Sequence, residues 1–249
     1  PPPHPFFFFH PVPVHPDPLW SRGLGVVYKR QDEREKAQAM LELMIPVVKA
    51  WCTDTGLAIT STNIQVHGGM GFMEETGAAQ HYRDARITTI YEGTNGVQAM
   101  DLLGRKVVRN GGETVHTFIK NVQETIDQLD TKNPSQLSIS IHLKNSLDAL
   151  NSAVAWMIET FPKQPGQAAA GATSFLEMMG LISGGWMLAR GVIEADMQLK
   201  NKQGDKKFLN SKITTAQYFS QAFLSRAPSL LYPIRDCGDC VIEFEASNF

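Results

Sequence analysis

At 249 residues the chain is long enough for one large domain or two small ones, and its 43% hydrophobic content is that of a globular protein with a buried core. With 23 basic against 25 acidic side chains and no run of like charge, it offers no footprint for nucleic acid or an anionic membrane. Three cysteines, Cys52, Cys237 and Cys240, are too few and too uneven for a disulfide framework, which points to a reducing compartment, and no apolar stretch of the roughly 18 residues needed to span a bilayer is present.

Residues 1–20 are so rich in proline that neither a helix nor a central strand can form there, and the Phe6–Phe9 run is too short for a signal-peptide core. The junction GLGVVYKRQ, Gly23 to Gln31, reads as translated adapter, so residues 1–31 are expected to be a disordered or non-native leader. From Asp32 the pattern turns helical. Asp32, Glu33 and Glu35 suit the positive end of a helix dipole, and Met40, Leu43, Met44, Val47, Val48 and Trp51 recur at the spacing of one buried face. Pro46 should kink this helix and Gly56 should break it, leaving a second run over Leu57 to Val66. A short helix is expected over Glu74 to Tyr82, a connector over Asp84 to Ile90, and a helix from Asn95 to Val108 stopped by Asn110-Gly111-Gly112. An amphipathic helix from Glu113 to Asp130 and a turn at Asn133-Pro134 precede three long helical patterns, Leu137 to Phe161, Gln167 to Leu199 and Ser211 to Phe223. From Tyr232 the periodicity is lost and an irregular tail is expected. Alternating β-branched runs are absent, so the chain is expected to be all-α, an antiparallel helical bundle. Its expected parts are residues 32–112, a helical extension over 113–231 and the tail over 232–249.

Chemistry concentrates in the 34 residues from Gln65 to Gln98, QVHGGMGFMEETGAAQHYRDARITTIYEGTNGVQ. Gly68, Gly69 and Gly71 lie between helical runs, where glycine lets a backbone approach a ligand and a following helix offers free N–H groups to a phosphate. A plain interhelical turn has the same look. Gln65 offers an amide to a ligand edge or to the helix end, and His67 is a lone histidine best read as structural. Arg83, Asp84 and Arg86 form either a surface ion-pair set or an arginine that holds an acidic loop or a phosphate. Glu92 is the strongest candidate for chemistry. Flanked by Tyr91 and Gly93, with Ile87, Ile90 and Val97 nearby, its carboxylate is expected to be desolvated, which suits a base that takes a proton from carbon. The bland alternative is an exposed helix-start glutamate with Thr94 as cap. Cys237 and Cys240 form a single CxxC that cannot complete a zinc site, and the small-residue stretch Gly166 to Gly185 points to close helix packing.

Taken together, QVHGGMGF, HYRDARI and IYEGTNGVQ resemble, in order and spacing, the C-terminal helical domain of acyl-CoA dehydrogenases, over about Asp32 to Gly112. The chain after Gly112 resembles the helical extension of the long bacterial members, the 3-methylmercaptopropionyl-CoA dehydrogenase-like group. The resemblance implies an FAD cofactor, with Gln65, Gly68 and Gly69 contacting the adenosine-pyrophosphate of a flavin bound mainly by a neighbouring subunit, and Thr94 and Gly96 touching FAD after the base. It implies that Glu92 is the catalytic base. Glu92 would remove the α-proton of an acyl-CoA thioester as the β-hydride passes to the flavin N5, giving a trans-2-enoyl-CoA. The Glu92 backbone N–H would polarise the thioester carbonyl, and Gly93 would leave room for the acyl chain. A cytoplasmic homo-oligomer that hands electrons to an acceptor protein is implied as well. Asn95 and Gly96 depart from the serine and glutamine of many members, which puts one flavin contact in question. The family's N-terminal helical domain, its middle β-domain and the first part of its C-terminal bundle have no counterpart here, so the chain is expected to be an inactive fragment. Two rival readings stay open: a non-dehydrogenase flavoprotein of the same fold, such as the branch tied to DNA-alkylation damage, and a helical interaction module that keeps the motif only as packing. The near-neutral charge argues against DNA contact.

Overall fold

The computed structural model describes residues 31–245 and 247; all but Gln31 of the expected leader therefore lies outside the described residues. The chain divides into two compact units, Pro1–Gln38 and Ala39–Phe249. Of the first, only 31–38 is described, and it is helical. Every regular element among the described residues is a helix, as the sequence pattern predicts.

Helix α1, Gln31–Val66, runs unbroken for 36 residues through both Pro46 and Gly56. The break expected at Gly56 does not occur. A lone glycine costs a helix only about 1 kcal/mol, and the burial of Leu43, Val47 and Ala50 on the core offsets that and the bond lost at Pro46. Val48, expected on the buried face, is instead 53% exposed. Short helix α2 (Gly69–Phe72) and a 3₁₀ turn, Glu74–Thr76, follow. The predicted helix over Glu74 to Tyr82 is split at Gly77, and α3 starts at Ala78 and continues to Thr88, through most of the expected connector. Helix α4 (Asn95–Met100) passes into eight residues of π-helix, Asp101–Val108, before the expected stop at Asn110-Gly111-Gly112.

Helix α5 (Glu113–Gln128) buries Val115, Phe118, Val122 and Ile126 along one stripe. The Phe118 ring meets Trp186 edge-on at 5.4 Å, and the Trp186 indole donates to Thr125 Oγ1 at 2.7 Å. Helix α6 (Pro134–Thr160) begins three residues before the expected Leu137, because Asn133 caps it by accepting from Ser135 N and Pro134 fits the first turn. Gly171 splits the next predicted run into α7 (Pro165–Ala170) and α8 (Ala172–Lys200). A side chain at Gly171 would overlap the Ile234 carbonyl. Helix α9 (Lys206–Ala222) starts before the expected Ser211, with Asp205 as cap. The stretch from Tyr232, expected to be irregular, instead forms α10 (Leu231–Arg235) and α11 (Gly238–Ile242), which follow a 3₁₀ segment, Leu224–Leu230. Fully buried Ile234 and the close approach of Gly238 to Gln167 dock this stretch on α7.

Helices α6, α8 and α9 pack on one another with the 3₁₀ segment between them, and α4 lies against α8. The small residues of the Gly166–Gly185 stretch serve this packing as expected: a Cβ at Gly180 would overlap the Trp51 ring, and one at Gly185 would stand 2.8 Å from Leu224. One cluster of buried side chains runs from Leu43 to Ile234. Among the described residues, no helix is long and apolar enough to cross a membrane.

Candidate functional site

The segment from Thr89 to Thr94 joins α3 to α4 and is held at both ends. Buried Thr89 accepts from the Arg86 guanidinium at 2.9 Å and donates its own hydroxyl to the Arg86 carbonyl. At the far end Thr94 caps α4, its side chain accepting from Val97 N at 3.4 Å. A hydroxyl carries one donor and two lone pairs, so this cap leaves the Thr94 O–H free to donate elsewhere.

Between these ends the backbone reverses through two left-handed residues, Glu92 at φ 56° and Gly93 at φ 86°. The only other non-glycine in this region among the described residues, Lys202 (φ 57°), sits just past the end of α8, where helices commonly terminate this way. Glu92 has no such excuse, since α3 ended at Thr88. For an L-residue the left-handed region costs on the order of 1–2 kcal/mol, so surrounding contacts must impose it.

Those contacts come from two side chains. Gln98 Nε2 donates to the Glu92 carbonyl at 2.9 Å, and Lys49 Nζ, from α1, donates to the Gly93 carbonyl at 2.8 Å. Lys49 also donates to Asn95 Oδ1 at 2.8 Å and stands 6.0 Å from the centre of the Tyr91 ring. Asn95 Nδ2 in turn donates to Asp54 Oδ1 at 2.7 Å, to Thr53 Oγ1 at 3.0 Å and to the Ala50 carbonyl at 3.2 Å. An ammonium has no acceptor and a carboxylate no donor, so the Asn95 amide has one permitted orientation, oxygen to Lys49 and nitrogen to Asp54. No backbone carbonyl among the described residues receives the Glu92 N–H.

Glu92, Gly93, Thr94 and Gly96 are exposed. The desolvated setting expected for Glu92 is not formed by this chain, because Ile87, Ile90 and Val97 are themselves 56%, 45% and 58% exposed. Gly93 has a structural reason independent of any ligand: its positive φ, and the Gln98 amide 3.1 Å from where a Cβ would stand. The glycine cluster lies apart in sequence at the end of α1. Gln65 is exposed, Gly68 takes φ 61°, and no heavy atom comes within 4 Å of a Cβ built on Gly68 or Gly69, which leaves their backbone open to approach. Gly71, by contrast, is buried against the Ile64 carbonyl. His67 Nδ1 meets the Asn63 carbonyl at 3.0 Å, the structural reading given to it.

Of the charge cluster, Arg83 forks onto both oxygens of Glu74 at 2.8 and 2.7 Å and so holds the acidic 3₁₀ turn. The Arg83 hydrogen bond keeps the Glu74 carboxyl below its ordinary value. Sequence reading missed Lys49 and Gln98, and it saw Asn95 only as a departure from the family pattern. The signal available was weak: a lysine and a threonine, Lys49 and Thr53, set at i, i+4 beside the core residue Ala50.

Two family models match. Residues 25–107 match the one described as "Acyl-CoA dehydrogenase, C-terminal domain", and residues 118–245, just over half of the chain, match "Acetyl-CoA dehydrogenase C-terminal like". The chain belongs to the acyl-CoA dehydrogenase family. It is 39% identical, over 85% of its length, to the 3-methylmercaptopropionyl-CoA dehydrogenase of Ruegeria pomeroyi, covering 36% of that protein. It is 31% identical over 76% of its length to a butyryl-CoA dehydrogenase of Syntrophomonas wolfei, covering 31% of it. It is 26% identical over 84% of its length to the broad-specificity linear acyl-CoA dehydrogenase FadE5 of Mycobacterium tuberculosis, covering 35% of it. This acyl-CoA dehydrogenase family member thus spans about a third of the length of the relatives it matches.

Proposed function

We propose that the chain is the C-terminal helical part of a flavin-dependent acyl-CoA dehydrogenase, with Glu92 as the base that takes the α-proton of an acyl-CoA thioester. The observation that carries this reading is the imposed backbone of Glu92. A carboxylate at φ 56°, with its own carbonyl and the next one each held by a side-chain donor, is a pre-set group of the kind that proton abstraction needs. The Glu92 N–H, which no backbone carbonyl receives, is available to the thioester oxygen, where negative charge grows as the proton leaves.

FAD bound beside the substrate would accept the β-hydride. Exposed Gln65, the open backbone at Gly68 and Gly69, the spare Thr94 hydroxyl donor and exposed Gly96 fit one edge of such a group rather than an enclosure. That agrees with a flavin held mainly by other protein. Desolvation of Glu92 then comes from the substrate, the flavin and protein outside these residues, since this chain leaves it exposed. The product is a trans-2-enoyl-CoA, and the electrons pass on to an acceptor protein. The complete enzyme in this reading is a cytoplasmic homo-oligomer.

The test is Glu92→Gln in the full-length protein. An amide keeps the shape and removes the base, so turnover should fall by about 10³-fold or more while flavin stays bound. Full turnover in that variant sinks Glu92 as the base. A second reading, a packing module that merely keeps the motif, draws support from the structural jobs of Gly93, Thr94 and Asn95. It predicts that the full-length protein binds no flavin.

A further inference from the structure

We infer that Lys49 and Gln98 are positioning residues for Glu92, with Asn95 as the brace that ties their loop to α1; this rests on the reading of Glu92 as the base. The two donors do different work. Gln98 reaches back six residues to the Glu92 carbonyl, a clasp within the loop. Lys49 reaches across 44 residues of sequence to the Gly93 carbonyl and fixes the loop to α1. Each left-handed residue therefore has its carbonyl oxygen pinned, so the peptide planes on both sides of Gly93 cannot rotate freely. The Glu92 side chain leaves from a backbone whose direction is set by groups that touch neither substrate nor flavin.

The brace makes the clamp stiff. Lys49 is half-buried and its ammonium is shared between the Gly93 carbonyl and Asn95 Oδ1, so moving the loop breaks two charge-assisted bonds at once. The two N–H groups of the Asn95 amide are shared among Asp54 Oδ1, Thr53 Oγ1 and the Ala50 carbonyl, within two turns of α1. The Thr53 hydroxyl is held in turn by the Lys49 and Ala50 carbonyls. This network accounts for the departure at position 95: an asparagine spans from the loop to Asp54 and Lys49 with opposite ends of one amide, which a serine hydroxyl is too short to do. Among the described residues, Lys202, the other left-handed non-glycine, shows no such clamp and needs none at a helix end.

The experiment uses full-length protein carrying Lys49→Met, Gln98→Met, Lys49→Arg or Glu92→Gln. Methionine keeps the length of each side chain and removes its donor. Both methionine variants should lower kcat about 10- to 100-fold, the cost of a misplaced reacting group, while flavin content and the KM for acyl-CoA stay within about threefold. Amide exchange at Asn95 and Gln98, whose N–H groups donate to Thr89 and Thr94, should speed up about tenfold as the loop opens. Lys49→Arg, which keeps charge and donors, should recover most of the kcat. Unchanged kcat and unchanged exchange in both methionine variants overturn the inference. So does a loss of kcat that comes with a matching loss of flavin and faster exchange throughout residues 113–230, because that is general destabilisation. Should Lys49→Met fail to fold, Gln98→Met decides, since Gln98 holds only the loop to itself. Glu92→Gln separates the two claims. If it is inactive while the methionine variants are fully active, only the positioning role falls; if it is fully active, the base reading falls and the catalytic role of the clamp falls with it.

Discussion

Asn95 and Glu74 show how single polar atoms fix this region. Asn95→Asp puts a second carboxylate against Asp54 and removes the three contacts made by the amide nitrogen. Stability should drop by about 1–3 kcal/mol, read as a lower Tm, and the loop amides should exchange faster than those of α6. Glu74 gives a pH signature. Its carboxyl lies below its ordinary value because Arg83 bonds the charged form. The pair therefore contributes fully above the ordinary carboxylate range, and the contribution disappears only as pH falls through the lowered value. Both groups are solvent-exposed, so the effect on stability is small; the direct check is an NMR titration of the Glu74 carboxyl, whose midpoint should fall below that of an isolated glutamate. At this scale the sequence was legible where a residue type is itself the signal. Thr94 as a cap could be picked out, since a threonine just before a helical run offers its hydroxyl to the first free N–H groups. Lys49 could not, because its partner is 44 positions away and nothing local in VVKAW says that its ammonium turns toward a loop.

Helices were legible through their periodicity, while their ends and interruptions depended on tertiary contacts. The stripe of α5 is visible as Val115, Phe118, Val122 and Ile126. The continuity of α1 is not visible, since Gly56 reads as a break until the burial around Leu43, Val47 and Ala50 is known. Gly171 divides two helices for an equally non-local reason, the Ile234 carbonyl pressed against it. The clearest element-scale prediction falls on Gly180, where α8 receives the Trp51 ring of α1. Gly180→Val would force these helices apart. It should cost about 1–3 kcal/mol, despite the better helix propensity of valine, and lower Tm by about 2–12 °C. An unchanged Tm would mean that the Trp51 side chain moves away without cost.

Across the whole molecule the buried cluster is continuous from Leu43 to Ile234, although two family models meet near residues 107–118. Residues 39–249 should therefore unfold in one step, with tryptophan fluorescence and far-ultraviolet circular dichroism giving the same midpoint; two separated transitions would show that the core is less continuous than its contacts. The all-α class was readable from composition and pattern. The sharing of one core was not, because it depends on which faces meet: α4 lies on α8, with Ala99 only 1% exposed between them. That contact has a genetic consequence. A stop codon after residue 112 would leave every motif residue encoded, from Gln65 to Gln98, yet take away the helix on which the segment after Glu92 rests. Substitutions that destabilise the region should therefore fall throughout the extension and not only in the motif, with effects that no inspection of the motif residues would explain.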